Sequence, residues 1–120
     1  MDILYIGTQF SVRVAYKNSE ATFDSAPYIV LRNKAANKYI GKTTQAVAGS
    51  NAYSALFTKA DTLKLIPGVY NIEVYSSNIE TSTAPRMLKC FYDHVRAELA
   101  ASAGESHHQE EFDNEDSSSE

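Results

Sequence analysis

The stretch Leu63–Tyr75, "LKLIPGVYNIEVY", decides the fold. Pro67 presets φ for a corner, and Gly68 tolerates dihedrals that other residues avoid. Past that corner the residues alternate. Tyr70, Ile72 and Val74 fall on one face; Val69, Asn71, Glu73 and Tyr75 fall on the other. A period of two marks a strand with one buried face. Leu63 and Leu65 stand just upstream, placed to pack beneath the corner.

The same periodicity recurs outward from this point. "DILYI" (2–6) reads as a short strand ended by Gly7. In "QFSVRVAYK" (9–17), Phe10, Val12, Val14 and Tyr16 share one face. "YIVLRN" (28–33) is apolar enough for a sheet centre. "YIGKTTQAV" (39–47) is a weaker strand, and "AYSALF" (52–57) alternates again. Thr58 can cap a short helical turn over 58–65. Beyond the opening stretch, 77–85 is a polar hairpin tip and "RMLKCFYDHV" (86–95) a further strand. No long amphipathic helices separate the strands, which argues against a βαβ architecture. The expected fold is all-β, an antiparallel sandwich of about seven strands over residues 1–95.

Two segments follow that domain. Residues 96–103, "RAELAASA", have helix-forming composition with little amphipathic stripe, so a short helix or extension is expected. Residues 104–120 carry seven acids and no Lys or Arg, whereas residues 1–103 hold all 11 basic residues and eight acids. The net charges are −7 and +3. Like charges repel, and Phe112 alone cannot make a core, so a disordered acidic tail is expected.

Cys90 is the single cysteine, which excludes an intramolecular disulfide. The start, "MDILYIGTQF", lacks a basic n-region and a long apolar run, and no window approaches the ~20 apolar residues of a membrane span. Synthesis and folding in a cytoplasm, without a membrane partner, are expected.

The motif L-x-L-x-P-G-x-Y-x-I-x-V resembles the corner of immunoglobulin-like sandwiches, where the chain crosses between sheets. In that family the corner tyrosine turns inward and its hydroxyl bonds back to upstream backbone. The resemblance makes Pro67, Gly68 and Tyr70 the structural corner. Ile72 stands where antibody domains place their second bridging cysteine, and tryptophan is absent, so antibody-type subfamilies are excluded. A second resemblance covers most of residues 1–95. "IGTQFSVRV", "FDSAPYIVLRNK" and "LIPGVYNIEV" occur in the order seen in small immunoglobulin-like virion domains of tailed bacteriophages. Those domains serve as capsid decoration proteins, baseplate proteins and fibre-attachment modules. The usual Leu-Thr-Gly of the second piece is missing here.

Chemistry is sparsely encoded. His94 stands alone, and His107-His108 lie in the acidic tail without the spaced ligands of a structural zinc site. The tail acids lack a D-x-D-x-D-G calcium loop. Ser25, Asp93 and His94 have no nucleophile-elbow context, and as strand neighbours Asp93 and His94 would point to opposite faces. No catalytic residue, metal or cofactor is expected. Arg32, Lys34, Lys38 and Lys42 cluster around one turn with Tyr39. Such a set can follow a phosphate backbone, but the acidic balance favours a solvated loop or a rim that steers toward an acidic protein. Tyr75 faces outward and can supply a flat contact patch.

The resulting expectation is a non-enzymatic virion protein of a tailed phage, decorating the capsid. The alternatives are a baseplate, neck or fibre-attachment module, or a module recognising a host-surface glycan or protein. Arg32, Lys34, Lys38, Tyr39, Lys42 and Tyr75 are the candidate partner-binding residues, and the partner is a repeating lattice protein rather than nucleic acid.

Overall fold

A computed structural model describes residues 1–99 and 106–112. The elements are β1 (Asp2–Ile6), β2 (Phe10–Tyr16), β3 (Tyr28–Asn33), β4 (Lys38–Thr43), β5 (Gln45–Ala46), β6 (Tyr53–Phe57), α1 (Lys59–Thr62), β7 (Gly68–Tyr75), β8 (Met87–Leu99) and β9 (Ser106–Phe112). They form a five-stranded sheet, β1-β8-β7-β3-β4, and a four-stranded sheet, β5-β6-β2-β9. One core lies between the two. Leu4, Ile29, Leu31, Tyr70, Ile72, Val74 and Val95 enter it from the first sheet, and Phe10, Val12, Val14, Ala55, Phe57 and Phe112 from the second. The described residues are thus mostly β, in two sheets that share one core, produced by strands that alternate apolar and polar residues.

The corner at Pro67-Gly68 joins the layers. Tyr70 is 1% exposed. Its hydroxyl donates to the Ile66 carbonyl at 2.8 Å and accepts from the Ile66 N–H at 3.1 Å. A buried phenol and two backbone groups of the corner thereby satisfy one another. Leu65 is buried beneath it, but Leu63 is 60% exposed, contrary to its expected place under the corner. Instead Leu63 is the C-cap of α1 and lies against Gly7. Thr62 takes the buried position, donating to the Thr8 carbonyl and accepting from the Gly7 N–H.

The segment expected as one strand over 39–47 is two. Thr44 breaks it: its N–H and hydroxyl both donate to the Pro27 carbonyl, at 3.1 and 2.7 Å. β4 therefore stays with β3, and β5 crosses to pair with β6.

The C-terminal expectations need correction. Of the short helix or extension expected over 96–103, residues 96–99 are extended: they continue β8, which pairs with β7 on one side and β1 on the other in this region. Residues 106–112 are not part of a disordered tail. They form β9, whose Phe112 is buried against Phe23, Tyr16 and Phe91 at ring distances of 5.3–5.7 Å. One aromatic cannot make a core, but it can complete one already built by others. Residues 100–105 and 113–120, the rest of the expected extension and tail, lie outside the described residues.

The sheets are also not wholly antiparallel. β1 runs parallel to β8, and β2 runs parallel to β9. β8 ends beside Ile6 and β9 begins beside Phe10. The last two strands therefore follow the first two from one sheet to the other.

Candidate functional site

The outer face of the five-stranded sheet carries a connected set of polar and aromatic side chains. Alternation along β3 and β7 sends Ile29, Leu31, Ile72 and Val74 inward and leaves Tyr28, Arg32, Glu73 and Tyr75 outside. Glu73 sits at the centre and is only 4% exposed. Arg32 Nε lies 3.0 Å from both of its carboxylate oxygens, and the Tyr75 hydroxyl donates to Oε1 at 2.8 Å. A buried carboxylate needs such partners to remain charged.

The network continues across β4. The Arg32 guanidinium lies 4.7 Å above the Tyr39 ring, a cation–π arrangement. The Tyr39 hydroxyl donates to Glu80 at 2.8 Å, which ties the loop between β7 and β8 to the face. Tyr28 lies across Gly41; a Cβ there would sit 2.4 Å from its ring, so glycine is what lets the phenol lie flat.

Burial and neighbouring carboxylates shift the titrating groups of this face. Burial, then Glu73, pushes the Tyr75 phenol up. Burial followed by Glu80 does the same for Tyr28, and the hydrogen bond to Glu80 does it for Tyr39. Arg32, which burial alone would push down, is held above its ordinary value by Glu73. Cys90 is paired opposite Glu73, and burial followed by that carboxylate raises its thiol. A thiol held protonated is a poor nucleophile.

Of the candidate binding residues, Arg32, Tyr39 and Tyr75 meet here. Lys34 lines the groove at the end of the same sheet. Lys42 points away to Asp61 of α1, at 2.8 Å, and Lys38 is exposed on the edge strand β4. The basic residues thus do not form one rim. The sequence shows alternation on each strand but not which strands are neighbours, so it could not pair Arg32 with Glu73 or place Tyr28 and Glu80 beside them.

At the end of the sheet a groove of about 680 Å³ is lined by Asn33, Lys34, Pro67, Asn71, Tyr92 and Asp93. Tyr92 is 67% exposed at its side. One wall of the groove is a bulge in β8, where three residues, Tyr92–His94, oppose Asn71 alone. Asp93 takes a left-handed φ of 55°, and its N–H donates to Asn71 Oδ1 at 2.8 Å. The buried Asn71 side chain fills the place of the missing ladder bond.

The bulge also redirects His94. It is not isolated: its Nε2 lies 3.2 Å from Glu110 on the opposite sheet. His108, expected in a solvated tail, is 8% exposed and lies between Asp2 and Glu110. Among the described residues no three His, Cys, Asp or Glu are arranged to hold a metal ion. No described helix is long and apolar enough to cross a membrane.

Comparison with protein-family models, with curated proteins and with solved structures finds no match to this chain.

Proposed function

We propose that this chain is a non-enzymatic structural protein that docks on a repeating protein lattice, as an auxiliary or decoration protein on the capsid of a tailed phage. The observation that carries the docking role is the Glu73 network. It locks Arg32 and Tyr75 on paired strands with Tyr39 beside them, and Tyr92 stands exposed at the end of the same sheet, at little conformational cost on binding. Repetition of the lattice supplies avidity, so each contact can be modest.

The virion reading rests on the immunoglobulin-like reading of the fold. Two features support the latter. The orders β5-β6-β2 and β8-β7-β3 correspond to strands D-E-B and G-F-C of such sandwiches. The Tyr70–Ile66 hydrogen bonds lie at the crossing from β6 to β7, where those sandwiches carry a corner tyrosine. The ordered sequence pieces "IGTQFSVRV", "FDSAPYIVLRNK" and "LIPGVYNIEV" then point to tailed-phage particles.

Mass spectrometry of purified particles tests the assignment. A copy number near that of the shell protein supports decoration, a handful per particle moves the protein to baseplate or neck, and absence removes the virion reading. Saturable attachment to empty capsids, weakened at least tenfold by Tyr39→Ala with Tyr92→Ala, locates the docking face. The groove beside Tyr92 favours one second reading, recognition of a host-surface glycan. Specific binding on a glycan array that is lost in Tyr92→Ala would establish it in place of decoration.

A further inference from the structure

Each sheet has two edges, and three of the four are guarded against pairing with another chain. β4 carries Lys38 and Lys42, β5 is two residues long, and β9 carries Glu110 and Glu111. Charged side chains and short length are what blunt an edge strand. β1 has neither guard. Its register with β8 runs without a bulge from Asp2 to Ile6, and β8 is its one ladder partner among the described residues. Its single charge, Asp2, is turned toward the other sheet, with Oδ2 2.5 Å from His108 Nδ1. Thr8 ends the strand, its N–H and hydroxyl both donating to the Tyr5 carbonyl.

The surface along this edge is apolar. Leu4 enters the core, so alternation turns Ile3 and Tyr5 to the outer face. Ile3 is 39% exposed; Met1, just before the strand, and Leu99, beside Ile6, are 65% and 73% exposed. On β8, Arg96 stands opposite Ile3 and Glu98 opposite Tyr5.

These residues match a second copy of themselves. Run antiparallel about Leu4, two β1 strands pair over their whole length, with Asp2 opposite Ile6 and Ile3 opposite Tyr5. Residues directly opposite share a face, so both inner faces stay on one side. A shift of one residue would set Ile3 against Leu4 and turn one copy's core face outward. Each outer row then runs from Arg96 through Ile3 to the second copy's Tyr5 and Glu98. An apolar centre lies between opposite charges, and no like charges meet.

We propose that two copies of this chain associate through β1, which pairs antiparallel with itself and joins their five-stranded sheets into one continuous sheet. The acidic β9 offers no second pairing edge. The contact is the same patch on both copies, so it closes as a dimer and does not extend into a filament. The proposal does not depend on the docking role given to the outer face.

Sedimentation velocity of the full chain tests this. An interface of one short strand per copy predicts a monomer–dimer equilibrium with a Kd on the order of 10 µM, visible between about 1 and 200 µM. Ile3→Lys puts a charge on the edge without touching the core and should weaken dimerisation at least about tenfold. Leu56→Lys, at a similarly exposed position of the other sheet, should leave it unchanged. The register has its own readout. With Cys90→Ser as background, an equal mixture of Ile3→Cys and Tyr5→Cys chains should form disulfide-linked heterodimers under mild oxidation, and each chain alone should cross-link far more slowly. A monomer at every concentration overturns the proposal, as does a dimer that Ile3→Lys leaves intact or a preference for homodimer cross-links.

Discussion

Arg32 and Glu73 lie 41 residues apart in sequence, yet the Arg32 Nε sits 3.0 Å from both Glu73 carboxylate oxygens. The pair joins β3 to β7 across the outer face, and the carboxylate side chain is nearly out of solvent. Removing one partner of such a pair leaves a buried charge unmatched. Glu73→Gln is expected to cost about 2–4 kcal/mol in urea-induced unfolding, somewhat below the fully buried case because Arg32 keeps some access to water. The same substitution should speed reaction of Cys90 with a thiol reagent at neutral pH. Burial remains, but the carboxylate that helps keep the thiol protonated is gone. An unchanged thiol rate in a folded variant would separate Cys90 from Glu73.

Tyr70→Phe keeps the ring in the core and deletes the hydroxyl that serves both polar groups of Ile66. The expected loss is about 1–3 kcal/mol, since a half-buried N–H and C=O lose their partner. Denaturant unfolding should show a lower midpoint with unchanged slope, because the surface exposed on unfolding stays the same.

Phe112→Ala tests the C-terminal strand as part of the core. Phe112 is fully buried among three aromatic rings, so truncation is expected to cost about 3–5 kcal/mol. A loss under about 0.5 kcal/mol, the usual size for a surface position, would place this residue outside the folded unit.

Acid should act on α1. Lys42 and the capping hydrogen bonds from Thr58 outweigh burial and hold the Asp61 carboxyl below its ordinary value. A carboxyl depressed on folding contributes stability above its unfolded value, about pH 4, and that contribution fades as pH falls through its folded value. Asp61→Asn should thus be less stable than wild type at pH 7, and the difference should shrink toward pH 2. Thr58→Ala, which removes the N-cap hydroxyl, is expected to cost about 1 kcal/mol at pH 7.

Much of this architecture is written locally. The alternation in Phe10–Tyr16 and Tyr70–Tyr75 already separates core from surface, and Pro67-Gly68 marks the corner between β6 and β7. Thr58 announces its cap through a short-range hydrogen bond. Such features depend on residues a few positions apart, so periodicity and turn chemistry reveal them. The candidate site was only half legible. Arg32, Tyr39 and Tyr75 stand out as outward polar or aromatic residues. Glu73 does not, because an acid on a solvent-facing position looks ordinary until β3 is known to lie beside β7.

The sequence by itself determined that Phe10–Tyr16, Tyr28–Asn33, Tyr53–Phe57 and Gly68–Tyr75 extend, which of their faces turn inward, and where the chain bends at Pro67-Gly68, because strand periodicity, proline and glycine act within a few residues. The tertiary structure alone decided that β1 and β2 run parallel to β8 and β9, that Asp93 takes a left-handed turn and sends His94 toward Glu110, and that an acidic C-terminal segment becomes a strand. Those outcomes depend on groups brought together from opposite ends of the chain: a bare edge on β2, an open place among Tyr16, Phe23 and Phe91, and Asp2 facing His108. Local composition carries the repulsion among tail acids, but not the partners that overcome it.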